Sequence, residues 1–151
     1  MEKELYIGFK GKNNASSMLV SHLSENSYLL TNSFAGVRND IEHLPDGYDY
    51  VLMFGIDKKL KNTVRVERAA EREGIRLLTD LDVDTIAKCL KEAGVENYVS
   101  DIPTHYLCNE AYWFSLRKFK GKAVFLHIPT LRNAEEDFFE KMKAALSWKY
   151  S

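Results

Sequence analysis

The chain has 151 residues, of which 45% are hydrophobic, 28% are charged and 12% are aromatic, a composition that excludes disordered and fibrous proteins. The 21 lysines and arginines nearly balance the 22 acidic residues, so the net charge of -1 gives no reason to expect nucleic acid as a partner. This length suits one domain, which we place at residues 1–151.

The chain contains two cysteines, Cys89 and Cys108, which are too few for a disulfide framework and favour a reducing compartment. Its N-terminal stretch carries two acidic residues and no long apolar run, so it does not resemble a secretory signal. No apolar segment approaches the length needed to cross a bilayer. The sequence therefore predicts a cytoplasmic protein without a membrane partner.

Strand and helix patterns alternate along the chain. Short apolar or alternating runs predict strands at residues 5–9, 27–31, 50–54, 63–67, 95–99 and 123–128. Apolar residues at helical spacing predict helices at residues 15–23, 82–93 and 134–147, and a further helix is predicted at residues 103–118, where a proline suits the first turn. Residues 32–48 are interpreted as a loop with at most a short element, and the chain is expected to turn helical from Ala69 onward.

This alternation is typical of an α/β protein, and we predict a single-domain, three-layer α/β/α sandwich around a mostly parallel sheet. Asn13 or Asn14 is expected to cap the first helix. Pro103 suits the first turn of the third helix, and Asp101 lies close enough to cap it.

Three reactive residues fall near the ends of predicted elements. Glu67 and His127 lie near the ends of strands, and Cys108 follows a strand and lies early in a helix. Ligands of open α/β sheets bind beyond the carboxyl ends of the strands. If these strands are parallel, the three side chains meet at one edge of the sheet.

Cys108 is the candidate nucleophile. Only the thiolate attacks, and the positive potential at a helix N-terminus lowers the pKa of a thiol placed there. Backbone N–H groups at that position can also stabilise an oxyanion. The structural alternative is a small thiol that fills space in the core, which is the commoner role of a buried cysteine.

His127 and Glu67 are the candidate base and its orienting carboxylate. An imidazole at the mouth of a sheet can take the thiol proton, and a carboxylate behind it fixes its tautomer. The alternatives are a histidine bonded to backbone and a surface glutamate paired with a nearby arginine. Taken one residue at a time, these alternatives are favoured.

Local sequence around the three residues is more informative. The chain reads Ser-Asp-Ile-Pro-Thr-His-Tyr-Leu-Cys-Asn over residues 100–109, Val-Phe-Leu-His-Ile-Pro over 124–129 and Val-Arg-Val-Glu-Arg-Ala over 64–69. These blocks, in this order, resemble those of the pyroglutamyl peptidases, also called pyrrolidone-carboxylate peptidases. The resemblance runs through most of the chain and is strongest at residues 50–68 and 95–129.

The resemblance implies a cysteine peptidase that removes N-terminal 5-oxoproline from peptides through an acyl-enzyme, without a metal or organic cofactor. Cys108 is then the nucleophile, His127 the base and then the acid, and Glu67 the residue that orients His127. The implied partner is a peptide or small acyl substrate. Because family members often self-associate, a homo-oligomer is also expected, with Trp113 or Trp148 at its interface.

The resemblance also implies substrate-binding residues. Phe9 matches the first pocket aromatic of the family, and the backbone of Tyr106 and Leu107 matches the segment that binds the lactam. Arg76 aligns with an arginine near the family active site if a gap of one residue is allowed.

The chain departs from the family in its substrate pocket. Family members are usually longer by tens of residues, and their Gly-Phe-x-Pro-Phe-Gly loop is here Gly-Phe-Lys-Gly at residues 8–11, so the second pocket aromatic has no counterpart. Pro103 and Thr104 replace an Ala-Gly pair before the cysteine. A different small acyl group therefore fits the sequence, as does a non-catalytic descendant that binds a peptide end or a partner with a remnant triad.

The remaining candidate sites are weaker. His105 lies three residues before Cys108, but further ligands at zinc-like spacing are not visible, so we expect no metal and a solvent-facing His105. Cys89 is expected to be inert. A basic cluster is interrupted by acidic residues and is expected to be a solvated, ion-paired surface. This cluster comprises Lys58, Lys59, Lys61, Arg65, Arg68, Arg72 and Arg76.

Overall fold

A computed structural model describes residues 3–104 and 106–146 of the chain. Its elements in chain order are β1 (Glu4–Phe9), α1 (Ala15–Leu23), β2 (Ser27–Leu30), α2 (Phe34–His43), β3 (Tyr50–Ile56), β4 (Thr63–Glu67), β5 (Ala69–Arg72), β6 (Ile75–Leu78), α3 (Val83–Glu92), β7 (Glu96–Ser100), α4 (Leu107–Lys118), β8 (Ala123–Ile128) and α5 (Phe138–Ala145). A 3₁₀ turn, Leu131–Asn133, follows β8. No helix in this part of the chain is long and apolar enough to cross a membrane.

The main sheet has the strand order β2-β1-β3-β8-β4-β7 within the described residues. Every neighbouring pair is parallel except β4 and β8, which are antiparallel. Side chains on one face pack against α1, α3 and α5, and those on the other face pack against α2 and α4. The predicted three-layer α/β/α sandwich with a mostly parallel sheet is confirmed.

Alternating side chains of β8 show how the sequence forms both layers. Val124, Leu126 and Ile128 are buried on the α1–α3–α5 face, whereas Ala123 and Phe125 are buried on the α2–α4 face. A strand that is apolar on both faces is typical of the interior of such a sheet. His127 is the polar residue in this run, and it is only 5% exposed.

The helix termini follow local capping chemistry where the sequence offers it. Asn14 Oδ1 accepts hydrogen bonds from the amides of Ser16 and Ser17, at 2.8 and 3.3 Å, so the expected cap of α1 is present. The third predicted helix differs, because α4 begins at Leu107 rather than at Pro103. Asp101 does not cap it, since its carboxylate accepts from Arg68 Nε at 2.6 Å.

Three further predictions of elements are wrong. Residues 32–48 contain the ten-residue helix α2, whose apolar stripe is weak because only Val37 and Ile41 are buried. The chain from Ala69 forms the hairpin β5–β6 instead of a helix. The last helix, α5, begins at Phe138 rather than at residue 134, and Ser147 lies outside the described residues.

Side chains of α4 fasten the β5–β6 hairpin to the domain. The Asn109 side chain forms two hydrogen bonds with the backbone of Glu71. Its Nδ2 donates to the Glu71 carbonyl at 2.7 Å, and its Oδ1 accepts from the Glu71 amide at 3.0 Å. Trp113 Nε1 donates to the Ile75 carbonyl at 3.1 Å. Trp113 is 5% exposed, so it is not the exposed interface aromatic that we expected, and Trp148 lies outside the described residues.

We predict that Asn109→Asp weakens the attachment of this hairpin, because a carboxylate cannot donate to the Glu71 carbonyl. The expected loss is about 0.5–1.5 kcal/mol in the free energy of unfolding, the size of the one ordinary hydrogen bond that is lost, because an aspartate oxygen still accepts from the Glu71 amide. Urea unfolding and amide exchange at Glu71 measure it. Asn39→Asp on the exposed surface of α2 is the matched control, and equal stability of the two variants contradicts the prediction.

Candidate active site

The pairing of β4 with β8 brings Glu67 next to His127. The register aligns Arg65 with His127 and Glu67 with Phe125, so these four side chains point to the face that α4 covers. His127 Nδ1 donates to Glu67 Oε1 at 3.2 Å, and the two side chains are 6% and 3% exposed. With Nδ1–H bound to the carboxylate, Nε2 is the nitrogen that can accept a proton.

We expected Glu67 and His127 to meet at the carboxyl ends of parallel strands, but their strands are not parallel. Because β4 is antiparallel to β8, Glu67 and His127 do not lie beyond the same ends of parallel strands. Glu67 instead faces Phe125, two residues before His127, and its side chain reaches His127 diagonally across the sheet. The structure thus brings these two residues together, but for a reason the sequence did not reveal.

Cys108 is the second residue of α4 and lies over β3. A Cβ atom added to Gly55 would come within 2.7 Å of Cys108 Sγ, so the thiol occupies the space that a side chain at this position would need. Gly55 is the register partner of His127 on the neighbouring strand β8. Cys108 and His127 therefore lie on the same face of the sheet, over adjacent strands. In the part of the chain that the structure describes, Cys108 Sγ has no hydrogen bond.

Burial governs the ionisation of the thiol. It raises the pKa of Cys108 to about 12, the carboxylates of Glu67 and Asp57 raise it as well, and Arg65 acts in the opposite direction. The net change in the pKa of Cys108 is therefore upward, opposite to the lowering that we expected. At neutral pH the resting thiol is protonated, and a base must remove its proton before it can attack.

Arg65 and Asp57 complete the polar surroundings, and neither residue was predicted from the sequence to belong to the site. Arg65 Nε donates to Glu67 Oε1 at 2.5 Å, and Arg65 Nη1 donates to Asp57 Oδ2 at 2.8 Å. The Arg65 side chain is only 14% exposed, so it is not part of a solvated surface. The sequence did contain a signal for Arg65, because it lies two residues before Glu67 in a predicted strand. This spacing puts both side chains on one face of β4.

Two other arginines of the basic cluster lie outside the site and form the ion pairs that we expected. Arg68 pairs with Asp101 and Asp84, and Arg72 pairs with Glu110 and Glu73.

The predicted substrate-binding residues are dispersed around this centre. The Phe9 ring is buried with its centroid 6.4 Å from that of Phe125, which is itself 4.8 Å from the His127 ring centroid. Leu107 packs partly buried against the α2–α4 layer, whereas Tyr106 is 79% exposed. Arg76 is exposed and donates to the Asp101 carbonyl, so it contacts the segment before α4 rather than Glu67, Cys108 or His127.

His105 lies outside the described residues. Among residues 3–104 and 106–146, no group of three or more histidine, cysteine or acidic side chains is arranged to hold a metal ion.

We predict that Gly55→Ala destabilises the protein by about 1–3 kcal/mol, as overpacking of a core does. The added Cβ would meet both Cys108 Sγ and Phe125 Cζ at 2.7 Å. In a Cys108→Ala background one of these clashes is gone, so the same substitution should cost less. Chemical unfolding of the four proteins in this cycle measures the difference, and an identical cost in both backgrounds contradicts the packing described.

The raised pKa of Cys108 predicts slow alkylation near neutral pH. In a Cys89→Ala protein, which leaves one thiol, the rate of reaction with iodoacetamide should keep rising with pH beyond about 8.5, where an ordinary thiol is half ionised. A rate that already reaches a plateau below neutral pH would show a preformed thiolate and contradict the prediction.

Comparisons with known proteins support the fold. No family model matches the chain, and no curated protein matches it in sequence. The pyrrolidone carboxyl peptidase of Thermococcus litoralis matches with a TM-score of 0.80 and 19% identity over 97% of this chain and 92% of that chain. The Thermus thermophilus enzyme matches with a TM-score of 0.80 and 19% identity over 98% and 100%. Pyroglutamyl peptidase I of Bacillus amyloliquefaciens matches with a TM-score of 0.75 and 18% identity over 97% and 93%. The chain has the fold of the pyrrolidone carboxyl peptidases.

Proposed function

We propose that this protein is a cysteine hydrolase related to the pyroglutamyl peptidases, which removes N-terminal 5-oxoproline or a related small acyl group from peptides. The observation that supports the proposal most strongly is the buried contact of His127 Nδ1 with Glu67 Oε1, with Cys108 over the adjacent strand. The likeness in fold to structures that are named as peptidases adds a second, independent argument.

In the proposed reaction, His127 Nε2 accepts the proton of Cys108 as the sulfur attacks the acyl carbon. A carbon–sulfur bond forms, and the electron pair of the carbonyl moves to its oxygen. Glu67 holds the imidazole by Nδ1 and stabilises the charge that His127 gains. Proton transfer has to accompany attack because the thiol is otherwise protonated at neutral pH.

The start of α4 offers donors for the oxyanion. Among the described residues, the first amides of this helix that find a carbonyl partner are those of Asn109 and Glu110, which both donate to the Tyr106 carbonyl, at 3.0 and 3.3 Å. The amides of Leu107 and Cys108 precede them and belong to the helical turn whose N–H groups lack intrahelical partners. In the proposal they donate to the developing oxyanion.

The second half of the reaction reverses these roles. When the carbonyl reforms, the carbon–nitrogen bond breaks and the leaving amine takes the proton from His127. His127 then accepts a proton from water, whose oxygen attacks the thioester carbon. The carbon–sulfur bond breaks, the free acid leaves, and the proton returns to Cys108.

A second candidate function is a non-catalytic descendant that binds a peptide end or a partner. The specific observations in its favour are the raised pKa of Cys108 and the missing hydrogen bond between its Sγ and His127. The shortened Gly-Phe loop at residues 8–11 points the same way. Turnover of a substrate separates the two candidates, because only the hydrolase consumes it.

We predict that the wild-type protein hydrolyses a chromogenic pyroglutamyl amide and that Cys108→Ala abolishes this activity. His127→Ala should lower kcat by on the order of 10²–10⁴-fold, the usual contribution of a general acid–base residue. Cys89→Ala is the matched control and should retain full activity. If the wild type cleaves neither this amide nor amides of other small acyl groups, the hydrolase proposal is wrong and the binding candidate replaces it.

A further inference from the structure

The resemblance accounts for Glu67, Cys108 and His127, but it gives no role to the arginine that lies among them. Arg65 occupies the middle of a row across the sheet, because its register partners are His127 on β8 and Tyr98 on β7. A guanidinium that is only 14% exposed in this position needs partners for its charge and its donors. It finds them in two carboxylates on opposite sides.

The first partner is the oxygen that also binds the histidine. Glu67 Oε1 accepts from Arg65 Nε at 2.5 Å and from His127 Nδ1 at 3.2 Å. A planar guanidinium holds a carboxylate in a fixed orientation better than an ammonium group can. Arg65 and His127 therefore share one acceptor oxygen of Glu67.

The second partner is Asp57, which follows β3 and holds the other end of the guanidinium. Arg65 Nη1 donates to Asp57 Oδ2 at 2.8 Å, and the Lys59 amide donates to Asp57 Oδ1 at 2.9 Å. Burial alone would raise the pKa of Asp57, but these hydrogen bonds outweigh it and lower the pKa. Asp57 is therefore charged at neutral pH and anchors Arg65.

Charge balance gives Arg65 a second effect. The groups that face the Cys108 thiol and His127 are Asp57 from the segment after β3, Arg65 and Glu67 from β4, Tyr98 from β7 and Tyr112 from α4. Two carboxylates and one guanidinium leave one negative charge, which matches the single positive charge of an imidazolium. Without Arg65, two uncompensated carboxylates would oppose formation of a thiolate.

We propose that Arg65 is a positioning residue, which holds Glu67 Oε1 against His127 and offsets one of the two carboxylates near Cys108, with Asp57 as its anchor. The part of this inference that concerns turnover rests on the proposed function. The part that concerns the reactivity of the thiol does not need a substrate.

The test compares Arg65→Gln, Arg65→Lys and Asp57→Asn, each in a Cys89→Ala protein with a single thiol. The rate of Cys108 alkylation by iodoacetamide should shift to higher pH in Arg65→Gln, because the lost guanidinium normally favours the thiolate. It should shift less in Arg65→Lys, which keeps the charge, and to lower pH in Asp57→Asn, which removes a nearby carboxylate. Arg68→Gln, which breaks the exposed ion pair with Asp101, is the control and should leave the profile unchanged.

Turnover of the pyroglutamyl amide supplies the second measurement. Arg65→Gln should lower kcat by about 10- to 100-fold, as the loss of one charged hydrogen bond does, with KM little changed. Arg65→Lys should restore part of kcat. The same kcat in Arg65→Gln as in wild type overturns the positioning role.

Thiol reactivity separates this inference from the proposed function. If the wild-type protein does not turn over any acyl amide, the proposed function fails, and the alkylation profile still decides whether Arg65 controls Cys108. An identical alkylation profile for wild type, Arg65→Gln and Arg65→Lys overturns the inference whatever the activity. Circular dichroism of each variant shows whether it is folded before its reactivity is compared.

Discussion

The candidate site depends on one buried contact, the hydrogen bond from His127 Nδ1 to Glu67 Oε1 between the antiparallel neighbours β8 and β4. Burying an imidazole and a carboxylate is costly unless each satisfies the other. The antiparallel register of β4 and β8 places Glu67 within hydrogen-bonding distance of His127. The same register brings Arg65 beside His127. The antiparallel pairing of β4 with β8 thus places both Glu67 and Arg65 beside His127 in a sheet that is otherwise parallel.

Packing places the thiol over β3, the strand next to β8, which carries His127. Gly55 leaves room for Cys108 Sγ directly over β3, and burial there keeps the thiol protonated at neutral pH. In the proposed function, a base must take the proton of this thiol before it can attack. Catalytic hydrogen bonds often shorten only when the substrate is bound. The missing hydrogen bond between Cys108 and His127 is therefore compatible with the proposed reaction.

The sequence predicted the fold class and the strongly patterned elements, because buried strands and capped amphipathic helices carry local signals. It did not predict α2 at Phe34–His43, whose buried stripe consists of two residues. It also missed the hairpin after Ala69, where Glu73 and Gly74 both adopt positive φ values of 51° and 77°. Tertiary packing determines the direction of β4, the burial of the Cys108 thiol and the position of Arg65. Local sequence patterns do not predict such features.

The most direct test of the central claim is the mass of the intact protein after rapid acid quenching of its reaction with a pyroglutamyl amide or ester. The proposed mechanism predicts that a fraction of the chain gains the mass of one 5-oxoprolyl group, that peptide mapping finds this group on Cys108, and that it is absent in Cys108→Ala. Turnover without such an adduct in the wild type, or with the adduct on another residue, would contradict the assignment of Cys108 as the nucleophile.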